Sequence, residues 1–410
     1  MICIVGGGLA GLAVASKLGD CVVFEAANKP GGLLRSEKID GYTFDTGGSH
    51  IIFSKNTDIL RKMLSVVGSY VMHRRRTFIF YNGRFIKYPF ENGISMLSPE
   101  ERFTILKDFV ENLMKEKKDP VNLLEWFYYV FGKEITERYL KPYNEKVWKR
   151  DLAEISLDWV GGRVPNPPVD DVLKSAVGIE TEGYTHQLRF YYPLEGGIER
   201  LAMGLAENVD VRVGERVTKL EVEDGGIVVN RQYRFDRVVY TAPLTTLPEI
   251  AECGEIEAEI KKLDYNSLTV VGLGVRGKVP NFHWLYFPQE EIVFHRVAFL
   301  SNYSPKMAPH GGSTVIAEIS HRPGEKVRKA EERVIDDLAE IGFEFNVEVC
   351  EKWEWEHAYV VYNHEYGDAV EKIRNYLSGM GIVPFGRFGG WEYLNMDAVM
   401  EGAERVVRML

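Results

Sequence analysis

The chain has 410 residues, 45% of them hydrophobic and 12% aromatic, enough to bury two or three domain cores. A net charge of −10 excludes a nucleic-acid binder that relies on a basic field, and no apolar run of about eighteen residues is present to span a bilayer. The four cysteines, Cys3, Cys21, Cys253 and Cys350, show no C-x-x-C spacing, offer no metal site and point to a reducing cytoplasm.

The chain opens with Ile2-Cys-Ile-Val5, a core strand that leaves no place for a leader peptide. Gly6-Gly7-Gly8-Leu9-Ala10-Gly11 follows, then a helix over 12–18. In that context G-x-G-x-x-G is a dinucleotide cradle: Gly6 makes the turn, Gly8 lets backbone approach a pyrophosphate, and Gly11 lets the helix pack on the strand. The pyrophosphate then rests on the positive end of the helix. The next strand, 22–24, ends at Glu25, whose carboxylate suits a ribose diol. Gly272–Gly277 fits the same pattern but no helix follows it, so it reads as a strand.

A helical region runs from Ser98 to about Asp151. It starts with an N-cap serine, Pro99 at the first helical position and a capping-box glutamate, Glu101. Phe103, Leu106, Val110, Leu113 and Met114 recur at helical spacing behind it. Short strands with Gly turns occupy 211–242, and further strand-like runs occupy 268–320. The last element is a helix from about Asn395 that carries Val399, Ala403, Val406, Val407 and Leu410 on one face.

The expected fold is α/β (α+β) with discontinuous domains. A Rossmann-type FAD-binding domain takes 1–70, 190–245 and 375–410, a helical insertion takes 96–160, and an antiparallel β-sheet substrate domain takes 71–95, 161–189 and 246–374.

Several segments resemble known families. Glu25 followed by Gly31-Gly32-Leu-Leu-Arg35 is similar to the extended FAD fingerprint of the amine-oxidase and glutathione-reductase superfamily, as are Arg216-Val217-Thr218 and Gly386-Arg387-Phe388-Gly389. The helix after Gly386-Arg387 would place its N-terminus at the anionic edge of reduced flavin. Phe44-Asp-Thr-Gly-Gly48-Ser-His50, Tyr88-Pro-Phe, Lys141-Pro-Tyr143-Asn144 through Trp148, and Trp159-Val-Gly-Gly-Arg163 resemble UDP-galactopyranose mutases of the eukaryotic type. So do Trp284-Leu-Tyr286, Arg296, Ser301-Asn-Tyr303, His357-Ala-Tyr359 and Trp391-Glu-Tyr393-Leu-Asn395-Met396.

That resemblance implies interconversion of UDP-galactopyranose and UDP-galactofuranose, or a related UDP-sugar, by attack of reduced flavin N5 on the anomeric carbon. It implies FAD as cofactor, held by Gly6, Gly8, Gly11, Glu25, Gly32, Arg35, Gly48, Val217, Arg387, Asn395 and Met396. It implies His50 against the flavin and Arg163 and Arg296 on the diphosphate, a task suited to a permanently charged planar fork. Tyr303, Tyr359 and Tyr393 would assist the arginines, while Tyr88, Tyr143, Asn144, Trp148 and Tyr286 would cradle uridine. On residue type alone Tyr143 and Trp148 also suit a core, and Arg163 and Arg296 a surface.

The implied partners are a UDP-sugar and NAD(P)H or a reductase, with no nucleic acid and no integral membrane association, in a monomer or small homo-oligomer. Three positions depart from the family pattern: Glu91 where a Gln is usual, an extra Ser49 before His50, and Gln187 where Asn is frequent. The alternatives are an FAD-dependent oxidase or desaturase, which would need an apolar substrate channel, and a non-enzymatic flavin-binding protein.

Overall fold

The computed structural model describes residues 1–161, 166–183 and 185–410, with His186 described as backbone only. Ile2–Val5 lies at the centre of a five-stranded parallel sheet, between Cys21–Glu25 and Arg237–Tyr240, with Asp210–Val213 and Ile382–Pro384 at the edges. Its apolar run is continuous because both faces are covered, as parallel sheets require. The helix Leu9–Leu18 packs on one face, together with the C-terminal helix Met396–Met409. Val399, Ala403 and Val406 of the latter are buried.

The other face is covered by Leu244, Leu247, Ile256 and Ile260 and by the helix Tyr366–Gly379. These stretches lie inside 246–374 or at its edge, so the parallel-sheet layer takes chain that the sequence assigns to the substrate domain. They pack there because their apolar faces meet Cys3, Val5 and Val238, which the parallel strands present outward.

The second sheet has seven strands in the order Asn346–Val361, Asp264–Arg276, Gly312–His321, Arg296–Phe299, Trp284–Tyr286, Thr77–Tyr81 and Arg84–Lys87. Gly272 and Gly274 lie inside its long second strand, where a Cβ would sit 2.6 Å from Phe44 and 2.7 Å from Tyr42. The sheet is not wholly antiparallel as expected. Trp284–Tyr286 runs parallel to Thr77–Tyr81, because the latter arrives from a distant part of the chain rather than through a hairpin.

The helical layer holds Pro99–Met114, Leu123–Ile135 and Lys141–Trp148. Ser98 Oγ accepts from Glu101 N at 3.3 Å while Glu101 Oε2 accepts from Ser98 N at 3.1 Å, the reciprocal capping box read from sequence. The buried side of this helix is Ile105, Phe109 and Asn112, not the row led by Phe103. Phe103, Val110, Leu113 and Met114 are exposed, because Ile105 and Phe109 form the row that meets the neighbouring helices. The helix Val169–Ala176 packs on this same layer, so the helical region continues past residue 160. Among the described residues no helix is long and apolar enough to cross a membrane.

Candidate active site

One cavity of about 530 Å³ runs from the glycine turn of the parallel sheet to the tyrosine-rich floor under the helical layer. At its first end Gly6 has φ +102° and a Cβ on Gly11 would stand 2.0 Å from Gly6 O, so the turn admits no side chain at either position. Gly8 caps the helix Leu9–Leu18 without any side-chain cap, which leaves first-turn amides free for an anion. Gly32, at φ +55°, would put a Cβ 3.2 Å from the Cα of Gly8, so two bare backbones face each other across the cradle.

Behind the cradle Glu25 accepts from Gly7 N and Ala27 N at 2.8 Å each, and Arg35 lies 3.3 Å from it with a buried Nε that has no protein partner. The bare backbone cradle and the free helix amides fit the pyrophosphate of a bound FAD, whereas Arg35 braces Glu25 behind the cradle and is not on the cavity wall. Val217 is buried beside the parallel sheet and is not on the cavity wall.

The wall opposite comes from the chain end. Gly386, at φ +88°, would place a Cβ 2.4 Å from the Cβ of Ala10, and this close approach brings Arg387 against the first helix. Arg387 donates to Ala358 O at 3.2 Å and Leu394 O at 2.8 Å and lies over the Tyr393 ring at 4.7 Å. It thereby holds the turn that presents Asn395 and Met396 to the cavity, where the helix Met396–Met409 starts with no side-chain cap.

Gly48, at φ +96°, turns the chain so that Ser49 and His50 line the cavity. His50 Nδ1 lies 2.9 Å from Gly48 O; since a carbonyl only accepts, Nδ1 carries the proton and Nε2 keeps its lone pair. Burial, then the nearby Arg387 and Arg296, push the His50 pKa down to about 3. The imidazole is therefore neutral at working pH.

The same turn leans on Glu318, which is fully buried. Glu318 accepts from Ser49 N at 2.9 Å, and from Arg296 Nε and Nη2 at 2.7 and 2.5 Å. Burial works against the charge on Arg296, but Glu318 outweighs it and raises the pKa well above the usual range. Arg296 is thus a rigid cation on the cavity wall. Glu318 was not among the candidates from sequence, although a single charge within the apolar run Ser313–Ser320 was the available signal.

The tyrosines divide between wall and support. Tyr88 and Tyr286 have ring centroids 4.9 Å apart, and Tyr143 meets Tyr286 at 5.2 Å, all three on the cavity. Tyr359 and Tyr393 stack at 6.3 Å beside Trp148, also on the wall. Burial raises the pKa of Tyr143, Tyr286 and Tyr359, so each keeps its proton. Trp148 is both wall and core: it is almost fully buried and donates to Asn144 Oδ1 at 3.2 Å, while Asn144 Nδ2 is taken by Leu140 O.

Tyr303 differs from the expectation of a diphosphate contact. It is fully buried and off the cavity wall, with its hydroxyl 2.7 Å from Ser49 Oγ. It lies one layer deeper because Phe190, Tyr192 and Trp284 enclose its ring. Arg163 lies outside the described residues. Glu91 and Gln187, two of the departures noted from sequence, both line the cavity. Among the described residues no cluster of metal ligands occurs.

These features define a flavin-dependent enzyme, and the chain belongs to the flavin-containing amine oxidoreductase family, whose model matches residues 9–365. It is similar to a crystal structure of reduced UDP-galactopyranose mutase, with a TM-score of 0.91 and 25% identity over 100% of this chain and 96% of that one. It is 23% identical to mitochondrial protoporphyrinogen oxidase of Nicotiana tabacum over 92% of this chain and 89% of that protein. It is also 23% identical to polyamine oxidase 4 of Oryza sativa subsp. japonica over 71% of this chain, but spans only 61% of that relative's length.

Proposed function

We propose that this chain is a flavin-dependent mutase that interconverts the pyranose and furanose forms of UDP-galactose or a related UDP-sugar. The observation that carries the proposal is Arg296, locked by a buried carboxylate on a cavity wall between the glycine cradle and a tyrosine pocket. Glu318 takes Nε and Nη2, so the remaining nitrogen of a fixed, permanently charged group is left to meet a departing diphosphate that must be held rather than released. The structural likeness to UDP-galactopyranose mutase over the whole chain supports the same reading.

FAD, held by Gly8, Gly32 and the amides at Met396, would supply the nucleophile when reduced, with NAD(P)H or a reductase as electron donor. The residues of this chain bind and orient the sugar nucleotide. Arg296, with Arg163, neutralises the diphosphate as its charge grows, an interaction stronger in the transition state than in the ground state. Tyr88, Tyr143 and Tyr286 receive the base on ring faces, while Tyr359, Tyr393 and Trp148 exclude water near the sugar. His50 presents a neutral Nε2 and adds no charge beside the flavin.

The test is incubation of the reduced holoprotein with UDP-galactose and chromatographic separation of the two ring forms. Mutase turnover yields the second isomer with no stoichiometric use of reductant or oxygen. Oxygen consumption in proportion to product, from an amine or a porphyrinogen, would replace this reading with an oxidase.

A further inference from the structure

Glu91 is an acidic side chain on the floor of the cavity, 6% exposed. Its neighbours are anchored elsewhere: Phe90 stacks on Tyr139 at 5.5 Å, and Asn92 Nδ2 donates to Thr181 Oγ1 at 2.6 Å. Among the described residues no other side chain hydrogen-bonds to the Glu91 carboxyl group, and no cation is paired with it. Of the charged groups around this floor, Arg75 keeps a buried Nη1 without a hydrogen-bond partner. Lys87 bonds Thr181 O and Glu182, Arg75 bonds Gly183 O and lies over the Tyr88 ring, and Asp171 adds a like charge. A buried carboxyl group whose one hydrogen-bond partner is its own backbone N–H, on the wall of the cavity that Tyr88, Tyr143 and Tyr286 also line, is a half-built contact for a planar heterocycle.

Resting on the UDP-sugar reading above, we propose that Glu91 reads the base of the bound nucleotide as a neutral carboxylic acid, so that binding takes up one proton at this side chain. The chemistry of the base favours it. Uracil offers one N–H flanked by two carbonyl oxygens. An ionised carboxylate can only accept, so its second oxygen meets a carbonyl oxygen; the neutral acid accepts from the N–H and donates to the carbonyl. Burial, then Asp171, already push the Glu91 pKa up to about 7, so the protonated form is at hand near neutrality. A guanine edge, with two adjacent donors, would instead select the ionised form.

Calorimetric titration of the FAD-loaded protein with UDP-galactose, whose diphosphate diester does not titrate in this range, tests the assignment. From about pH 6 to about pH 8.5 the affinity of the wild type falls by about 30-fold, the factor set by a free-state pKa of about 7. At the higher pH, two buffers of different ionisation enthalpy report uptake of about one proton. Glu91→Gln, which carries a donor and an acceptor at every pH, binds equally at both values with no proton uptake, and its flavin content confirms an intact fold. A wild-type affinity that does not change with pH overturns the proposal, and so does a preference for GDP-mannose over UDP-galactose at the higher pH. Failure of both proteins to bind UDP-galactose at either pH overturns the UDP-sugar reading itself, and this assignment with it.

Discussion

Arg296 and Glu318 stand directly opposite each other on neighbouring antiparallel strands, and the same register that pairs their backbones closes two hydrogen bonds between their side chains. Cross-strand neighbours on one face are the natural unit of contact in a sheet. The cation of the candidate site is thus positioned by strand pairing, and the carboxylate that holds it also receives Ser49 N from the turn carrying His50.

Glu318→Ala should therefore act on stability and ligand binding together. Removing one partner of a buried pair leaves the other charge uncompensated, at a cost of about 3 kcal/mol. Thermal unfolding of the apoprotein should fall by several degrees, and UDP-sugar affinity should fall with it. Unchanged stability would mean that Arg296 finds water or another partner without penalty.

Arg296→Ala should weaken UDP binding by about 1.5–3 kcal/mol, the worth of a charge-assisted hydrogen bond, and lower kcat as well. Arg296→Lys should recover only part of this, since one ammonium cannot serve both oxygens of Glu318 and a phosphate. Arg163→Ala should behave like Arg296→Ala. Flavin content should stay normal in all three, because the pyrophosphate of the cofactor rests on the Gly6–Gly11 turn and not on these arginines. Unaltered UDP affinity in both alanine variants would remove the diphosphate reading.

Gly11→Ala should abolish flavin retention, because its Cβ would sit 2.0 Å from the carbonyl oxygen that shapes the turn. The absorbance ratio of flavin to protein after purification measures this. A yellow variant with full occupancy would show that the turn relaxes without losing the cradle.

His50 makes a prediction about acid. Its folded pKa, about 3, lies below the ordinary imidazole value, so the stability tied to its neutral form is present above about pH 6.5 and is lost as the pH falls toward 3. His50→Gln should flatten the acid side of the stability curve between those limits, as measured by denaturant midpoints. In the rate profile of the wild type no ionisation of His50 should appear between about pH 5 and 9.

Local chemistry in the chain determined a good part of this protein. The strand, glycine turn and helix of 2–18 could be read directly, because a turn with no room for Cβ leaves a pattern that few sequences satisfy. The capping box at Ser98 and Glu101 and the strand nature of Gly272–Gly277 were legible for the same reason: each depends only on near neighbours. The face of the helix Pro99–Met114 was not. Its sequence offers two apolar rows, and only packing against the next helices selects Ile105 and Phe109 over Phe103 and Val110. Nor could sequence tell that Tyr303 stands behind Ser49 while Tyr286 faces the cavity, since both are tyrosines near one arginine. Glu318 shows the limit most plainly. A lone acid in an apolar strand signals a buried partner, but only the register of Arg296–Phe299 against Gly312–His321 names that partner as Arg296, because pairing across a sheet is set by the whole fold.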